Sequence, residues 1–330
     1  MDLAGGTIDI WPLYLYHENA QTLNVAISLR ASCTLAPEAD GRIVIRSADT
    51  GQTVEARHWS ELRDNHEMKL LGRLLHYFQA SGVRVETASK SPVGAGIAGS
   101  SALNIAVCGA LAAWTHRVLT PDTLFQIAMN VEAQAIDVPT GVQDYRPAYY
   151  GGVSAVELDA DGVRRIGLTV DPADLEARIV LAYTRASRNS GINNWEVTKR
   201  HIDGDRQVFD SFERIRDIAV EMRAALERGD WDEVGRQIEE EWTNRKRLAP
   251  GVTTPEIERI MAAAHKAGAL ATKICGAGGG GCMIAFAHPD AVAAVTSAIA
   301  AAGAQVLPYR VDTEGLRVEH VRPGAPAGVA

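Results

Sequence analysis

The stretch SPVGAGIAGSSALNIAVCGALAAW, residues 91–114, constrains this chain more than any other, because Gly94, Gly96 and Gly99 spell G-x-G-x-x-G between a strand-like run and an apolar helix. VRVETAS (83–89) alternates as a strand does, and Ser100, Ser101 and Ala102 open the helix that follows. A helix start of this kind presents unpaired N–H groups and the positive end of the helix dipole, and glycines let the backbone come close to a ligand. The segment therefore reads as an anion site. A dinucleotide fold would place an acidic residue about 20 positions on, at the tip of the next strand. Here that region is THRVLTPDT, a helix exit followed by a new helix start, and Asp122 ends no strand. The pattern G-x-x-x-x-G-K-[ST] is also missing, which excludes the P-loop design. Two readings remain: a tight turn before a core helix, and a cradle for the phosphates of ATP.

Helices and strands interleave along the whole chain, without internal repeats. GRIVIRSA (41–48) reads as a strand, and residues 67–81 and 120–136 as helices, the latter opened by a threonine cap and a proline. The pattern restarts with a strand at 179–184, helices at 207–228, 231–247 and 254–267, a strand at 282–286 and a helix at 289–302. Strands at 305–311 and 315–320 close it. This is α+β material with a domain boundary between 160 and 178. A net charge of −8 without any Lys/Arg-rich block argues against a nucleic-acid partner. Cys33, Cys108, Cys275 and Cys282 form no C-x-x-C pair, so reduced thiols and a cytoplasmic location are expected. The apolar run after Ser101 is broken by Asn104 and falls short of the roughly 20 residues a membrane span needs. No signal-peptide pattern opens the sequence.

The proline and glycine turn ending in G-S-S-A resembles the phosphate-binding motif of the GHMP kinases, the family of galactokinase, homoserine kinase, mevalonate kinase and phosphomevalonate kinase. Three further stretches are similar to that family in the expected order. They are DLAGGTIDIWPLY (2–14), NVEAQAIDVPTGVQDYRPAYYGG (130–152) and TKICGAGGGGCMIAF (272–286). The resemblance implies a two-domain α+β fold. Residues 1–170 would form the ATP-binding domain, like ribosomal protein S5 domain 2, and residues 171–321 a ferredoxin-like C-terminal domain, leaving 322–330 as a flexible tail.

It also implies ATP and Mg²⁺ as cofactors and a small polyhydroxylated molecule as acceptor. Pro92, Gly94, Gly96, Gly99, Ser100, Ser101 and Ala102 would hold the triphosphate, with Glu132 and Ser100 toward the metal. Asp144, twelve residues after Glu132, would accept or orient the proton of the attacked hydroxyl; in isolation it reads as a turn aspartate capping a helix. Gly6, Thr7, Asp9 and Gly141 would contact the substrate, although Asp9 alone also reads as a loop aspartate in a turn. Gly276, Gly278 and Gly279, in GAGGGG, would bring backbone close to the nucleotide. Lys273 reads either as a phosphate contact or as a surface lysine.

TRASRNSGINNW (184–195) reads either as a substrate lid whose Arg185 and Arg188 pair with an acidic group on the substrate or as an ordinary surface loop. Family members usually carry an Arg or Lys on a short strand before the first glycine turn, whereas this sequence opens MDLAGG. Arg185, Arg188 and Lys273 are the candidate replacements. The AGG-T-x-D, GVQDY and GAGGGG segments look most like sugar 1-kinases, including heptose 7-phosphate kinases and plant-type glucuronokinases. Phosphorylation of an anomeric sugar hydroxyl is expected. The alternatives are a mevalonate-pathway kinase, an ATP-dependent decarboxylase of the same fold, and a non-catalytic sugar-binding regulator.

Overall fold

The computed structural model describes residues 1–186 and 190–320. Arg188 and the expected tail at 322–330 lie outside the described residues. The chain runs β1 (Asp2–Ala4), β2 (Gln21–Val25), β3 (Ala31–Pro37), β4 (Ile43–Ser47), β5 (Thr53–Ala56), α1 (Lys69–Phe78), β6 (Val83–Ser89), α2 (Gly99–Trp114), α3 (Pro121–Ile136), α4 (Tyr145–Tyr150), β7 (Val153–Asp159) and β8 (Gly162–Gly167). There follow α5 (Pro172–Glu176), β9 (Ile179–Tyr183), α6 (Ser190–Ile202), α7 (Arg206–Arg228), α8 (Trp231–Arg245), α9 (Pro255–Lys266), β10 (Ala269–Ile274), β11 (Cys282–Ala287), α10 (Val292–Ala301) and β12 (Gln305–Val306).

Local sequence explains the elements that carry the glycine loop. In α1, Leu71, Leu74, Leu75 and Phe78 fall on one helical face and are buried. β6 alternates inward Val83, Val85 and Thr87 with outward residues, as a strand covered on one face must. Thr120 caps α3 by accepting from the Thr123 N–H, with Pro121 in the first turn. These helices cover the sheet β3-β6-β4-β5, in which β4 and β6 run parallel.

The sheet β10-β11-β9-β12 is antiparallel throughout and buried on both faces. Along β11, Met283, Ala285 and Ala287 enter one core while Cys282, Ile284 and Phe286 enter the other. Each core also takes in residues from the chain's first half: Ile8, Ile10 and Val156 on one side, and Leu3, Leu23 and Ala155 on the other. The remaining sheet, β1-β2-β7-β8, thus shares its apolar interior with the C-terminal helices.

Three local expectations change. QVLPYRV pairs as a strand only at Gln305–Val306, with Val311 bridging Ile27. GLRVEH is not a strand: Gly315 turns at φ +69°, the Leu316 N–H donates to the Tyr149 carbonyl, and Leu316 packs beside α2. Half of the expected lid, from Ser190 onward, is helix α6. Among the described residues no helix is long and apolar enough to cross a membrane.

Candidate active site

A cavity of about 400 Å³ opens where the first glycine loop, the N-terminal loop, the segment after α3 and the second glycine loop converge. Gly94 and Gly96 adopt positive φ, which delivers the chain to α2 in a tight turn. Ala98 precedes the helix in a left-handed conformation and has no side chain that can cap it. The first-turn amides of α2 are therefore left for a ligand at the cavity wall. Pro92, Gly94, Gly96, Gly99, Ser100 and Ser101 line that wall, and Ala102 does not.

Glu132 projects from α3 toward the same helix start and is 5% exposed. Its carboxylate accepts from Ser100 Oγ at 2.8 Å, Ser101 Oγ at 3.2 Å, Asn104 Nδ2 at 3.4 Å and the Tyr145 hydroxyl at 2.8 Å. Asn104 and Tyr145 escape a reading from sequence, because a buried asparagine in an apolar run and a tyrosine after Asp144 carry no spacing signal. Burial pushes the Tyr145 hydroxyl well above its ordinary pKa, with the neighbouring Glu132 charge adding to the shift. Tyr145 therefore stays a donor.

Asp144 sits at the start of α4, yet its side chain caps nothing. It lines the cavity instead. Burial raises its pKa to about 7, and the charges of Asp9, Asp2 and Glu132 push the same way. Asp9, 1% exposed, accepts from the Gln143 backbone N–H at 2.9 Å. Burial lifts its pKa to about 6 against the pull of that hydrogen bond. The contact is possible because residue 141 is glycine: a Cβ there would overlap the Asp9 carboxylate. Thr7 and Gly141 line the cavity beside Asp9, while Gly6 turns away against Arg245 and Asp2.

Of the second glycine loop, Gly276 and Ala277 reach the cavity. Gly278 and Gly279 lie against Val252, whose carbonyl accepts from the Gly279 N–H at 2.7 Å. Lys273 is neither a phosphate contact nor a surface lysine. It is fully buried, donates to Asp2 at 3.2 Å and to the Leu3 carbonyl at 3.0 Å, and forms an ion pair with Glu241 at 3.1 Å. Arg185 is exposed and does not line the cavity, and Arg188 is outside the described residues. The described lining contains Asp9, Asp49, Glu132 and Asp144 but no lysine or arginine.

The donor set around Ser100 is all oxygen, which suits a hard divalent cation that keeps most of its shell from phosphate and water. No group of three or more His, Cys, Asp or Glu side chains among the described residues forms a metal cage. The same arrangement offers amides for phosphate oxygens and a carboxylate with a raised pKa to take a proton.

Two family models match the chain, GHMP kinases N-terminal domain over residues 65–152 and GHMP kinases C terminal over residues 222–305. It is 30% identical over 303 residues to a D-glycero-alpha-D-manno-heptose 7-phosphate kinase of Campylobacter jejuni, covering 88% of this chain and 87% of that protein. To a mevalonate kinase of Thermococcus onnurineus it is 30% identical over 255 residues, covering 74% and 71%. Among solved structures, a D-glycero-D-manno-heptose 1-phosphate kinase from Bacteroides thetaiotaomicron superposes with a TM-score of 0.77 at 24% identity, over 97% of both chains. Lactococcus lactis galactokinase complexed with galactose gives 0.77 at 19% identity, over 95% of this chain and 91% of that one.

Proposed function

The chain belongs to the GHMP kinase family, and on that premise we propose that it transfers the γ-phosphoryl group of ATP to a hydroxyl of a sugar or sugar phosphate, at the anomeric position. The observation that carries this reading is Asp144. It occupies a helix-start position without capping the helix, and faces a cavity that holds Asp9 on one side and the Ser100–Glu132 pair on the other.

In this reading the uncapped amides of α2 bind the β- and γ-phosphates, and Gly276 approaches from the second domain. Ser100 and Glu132 would hold Mg²⁺, which supplies charge neutralisation on the phosphates. The need for it is acute, because no cation lines the described cavity. Asp144 accepts the proton of the attacking hydroxyl as it closes on the γ-phosphorus in line with the leaving oxygen. Asp9, held by Gln143 and Gly141, accepts from other acceptor hydroxyls. Asp9 and Asp144 give the acceptor end hydrogen-bond acceptors that suit the several hydroxyls of a sugar, and the longer match to the heptose 7-phosphate kinase than to the mevalonate kinase supports the same acceptor class.

ADP release tests the reading, measured with Mg-ATP against heptose 7-phosphates, hexoses, uronic acids and mevalonate, with carbon dioxide followed in parallel. ADP formation dependent on one sugar, without carbon dioxide, is expected. Carbon dioxide accompanying ADP would identify a decarboxylase instead.

A further inference from the structure

Gln143 is a polar side chain at the acceptor end that the roles above leave unused. Along Thr140–Asp144, Val142 turns into the core, whereas Thr140, Gly141, Gln143 and Asp144 line the cavity. The Gln143 backbone is already committed to Asp9. Its side chain is 6% exposed, and no described group donates to its Oε1. Buried amide oxygens are rarely left without a donor, since dehydrating one without replacing its hydrogen bond is unfavourable. An amide combines an acceptor with a donor, the complement of a hydroxyl.

Resting on the kinase reading above, we infer that Gln143 is a specificity-determining contact: its amide binds the acceptor hydroxyl on the carbon next to the one phosphorylated. Gln143 and Asp144 are consecutive and face the same space, so together they match hydroxyls on neighbouring carbons. A neutral side chain is suited to this position, because Asp9, Asp144 and Glu132 already crowd the cavity with carboxylates. A site built around a second hydroxyl discriminates against acceptors that lack it.

The test is steady-state kinetics of wild type and Gln143→Leu with heptose 7-phosphate and galactose, each paired with its 2-deoxy analogue, and with mevalonate. Gln143→Met, apolar and unbranched, gives the same comparison should leucine disturb the loop. Titration with a non-hydrolysable ATP analogue reports that the nucleotide end is intact. On whichever sugar the wild type uses, Gln143→Leu should lose roughly 10- to 100-fold in kcat/KM. On the matching 2-deoxy analogue the two enzymes should agree within about threefold. No loss, or an equal loss on both members of the pair, overturns the role of Gln143 and leaves the kinase reading standing. Wild-type turnover of mevalonate alone overturns both, because mevalonate has no hydroxyl beside the one phosphorylated.

Discussion

In the proposed transfer Asp144 accepts the proton, and because burial raises its pKa to about 7 that step is pH-dependent. Below that value the carboxyl is protonated and cannot accept a proton, so kcat/KM should rise with pH and level off above about 7. Asp144→Asn should retain nucleotide binding, lose turnover by about 10²- to 10⁴-fold, and flatten this profile. Stability moves the other way. Between the ordinary carboxyl value of 3.8 and about 7, the folded chain keeps a proton on Asp144 that the unfolded chain has released. Folding is therefore disfavoured progressively as pH rises through that window, and thermal unfolding of Asp144→Asn should show a shallower decline. That Asp144 stands at the cavity was legible in sequence through its place in TGVQDY and its distance from Glu132. Tyr145, Asn104 and Gln143 were not, because their importance comes from which carboxylate or cavity they meet across the fold.

Among elements, the two glycine loops act as one unit. The Cys282 N–H donates to the Ala95 carbonyl at 2.5 Å, and a Cβ on Gly281, at φ +84°, would overlap that same carbonyl. Gly281→Ala should push the loops apart and lower kcat/KM for ATP by roughly 10- to 100-fold, since small misplacements of reacting groups are that costly. Its urea unfolding would check that the fold survives, and unchanged ATP kinetics would refute the coupling. The run GAGGGG signals close backbone approach correctly, but not to what. Gly278 and Gly279 meet Val252, and only Gly276 and its neighbour Ala277 reach the cavity. Helix α6 was hidden because its polar, asparagine-rich start reads as a loop, and its anchor is remote. His201 at its end meets His17 at 3.0 Å, and His17 in turn bonds Glu213.

At the scale of the whole molecule, a buried charge network joins the halves. Asp2, Lys273, Glu241 and Arg245 form a chain of ion pairs, and Arg245 also donates to Thr7 and to the Gly276 carbonyl, one on each side of the cavity. Burial alone would raise the Asp2 pKa, yet Lys273 and Arg245 hold it below the usual carboxylate range. Removing one member leaves an uncompensated buried charge, so Lys273→Met should cost about 3–5 kcal/mol in urea unfolding. In the fraction that folds, the KM for ATP should be unchanged; a raised KM with normal stability would return Lys273 to the phosphates. Glu241 and Arg245 stand at helical i,i+4 spacing, but Asp2 lies more than 200 residues from Lys273 and Arg245, so no periodicity in the sequence reveals the network. The alternation that gave β6 and the short apolar runs that gave β9 and β11 were readable, because they depend only on neighbours in the same strand.

Phosphoryl transfer to an anomeric sugar hydroxyl would give an acid-labile phosphomonoester. Phosphorus-31 NMR of the protein with Mg-ATP and the sugar that drives ADP release, followed by mild acid, tests it most directly. A new phosphomonoester resonance that disappears in acid and is lost with Asp144→Asn is expected. An acid-stable ester would contradict the anomeric assignment, and full product formation by Asp144→Asn would contradict the mechanism itself.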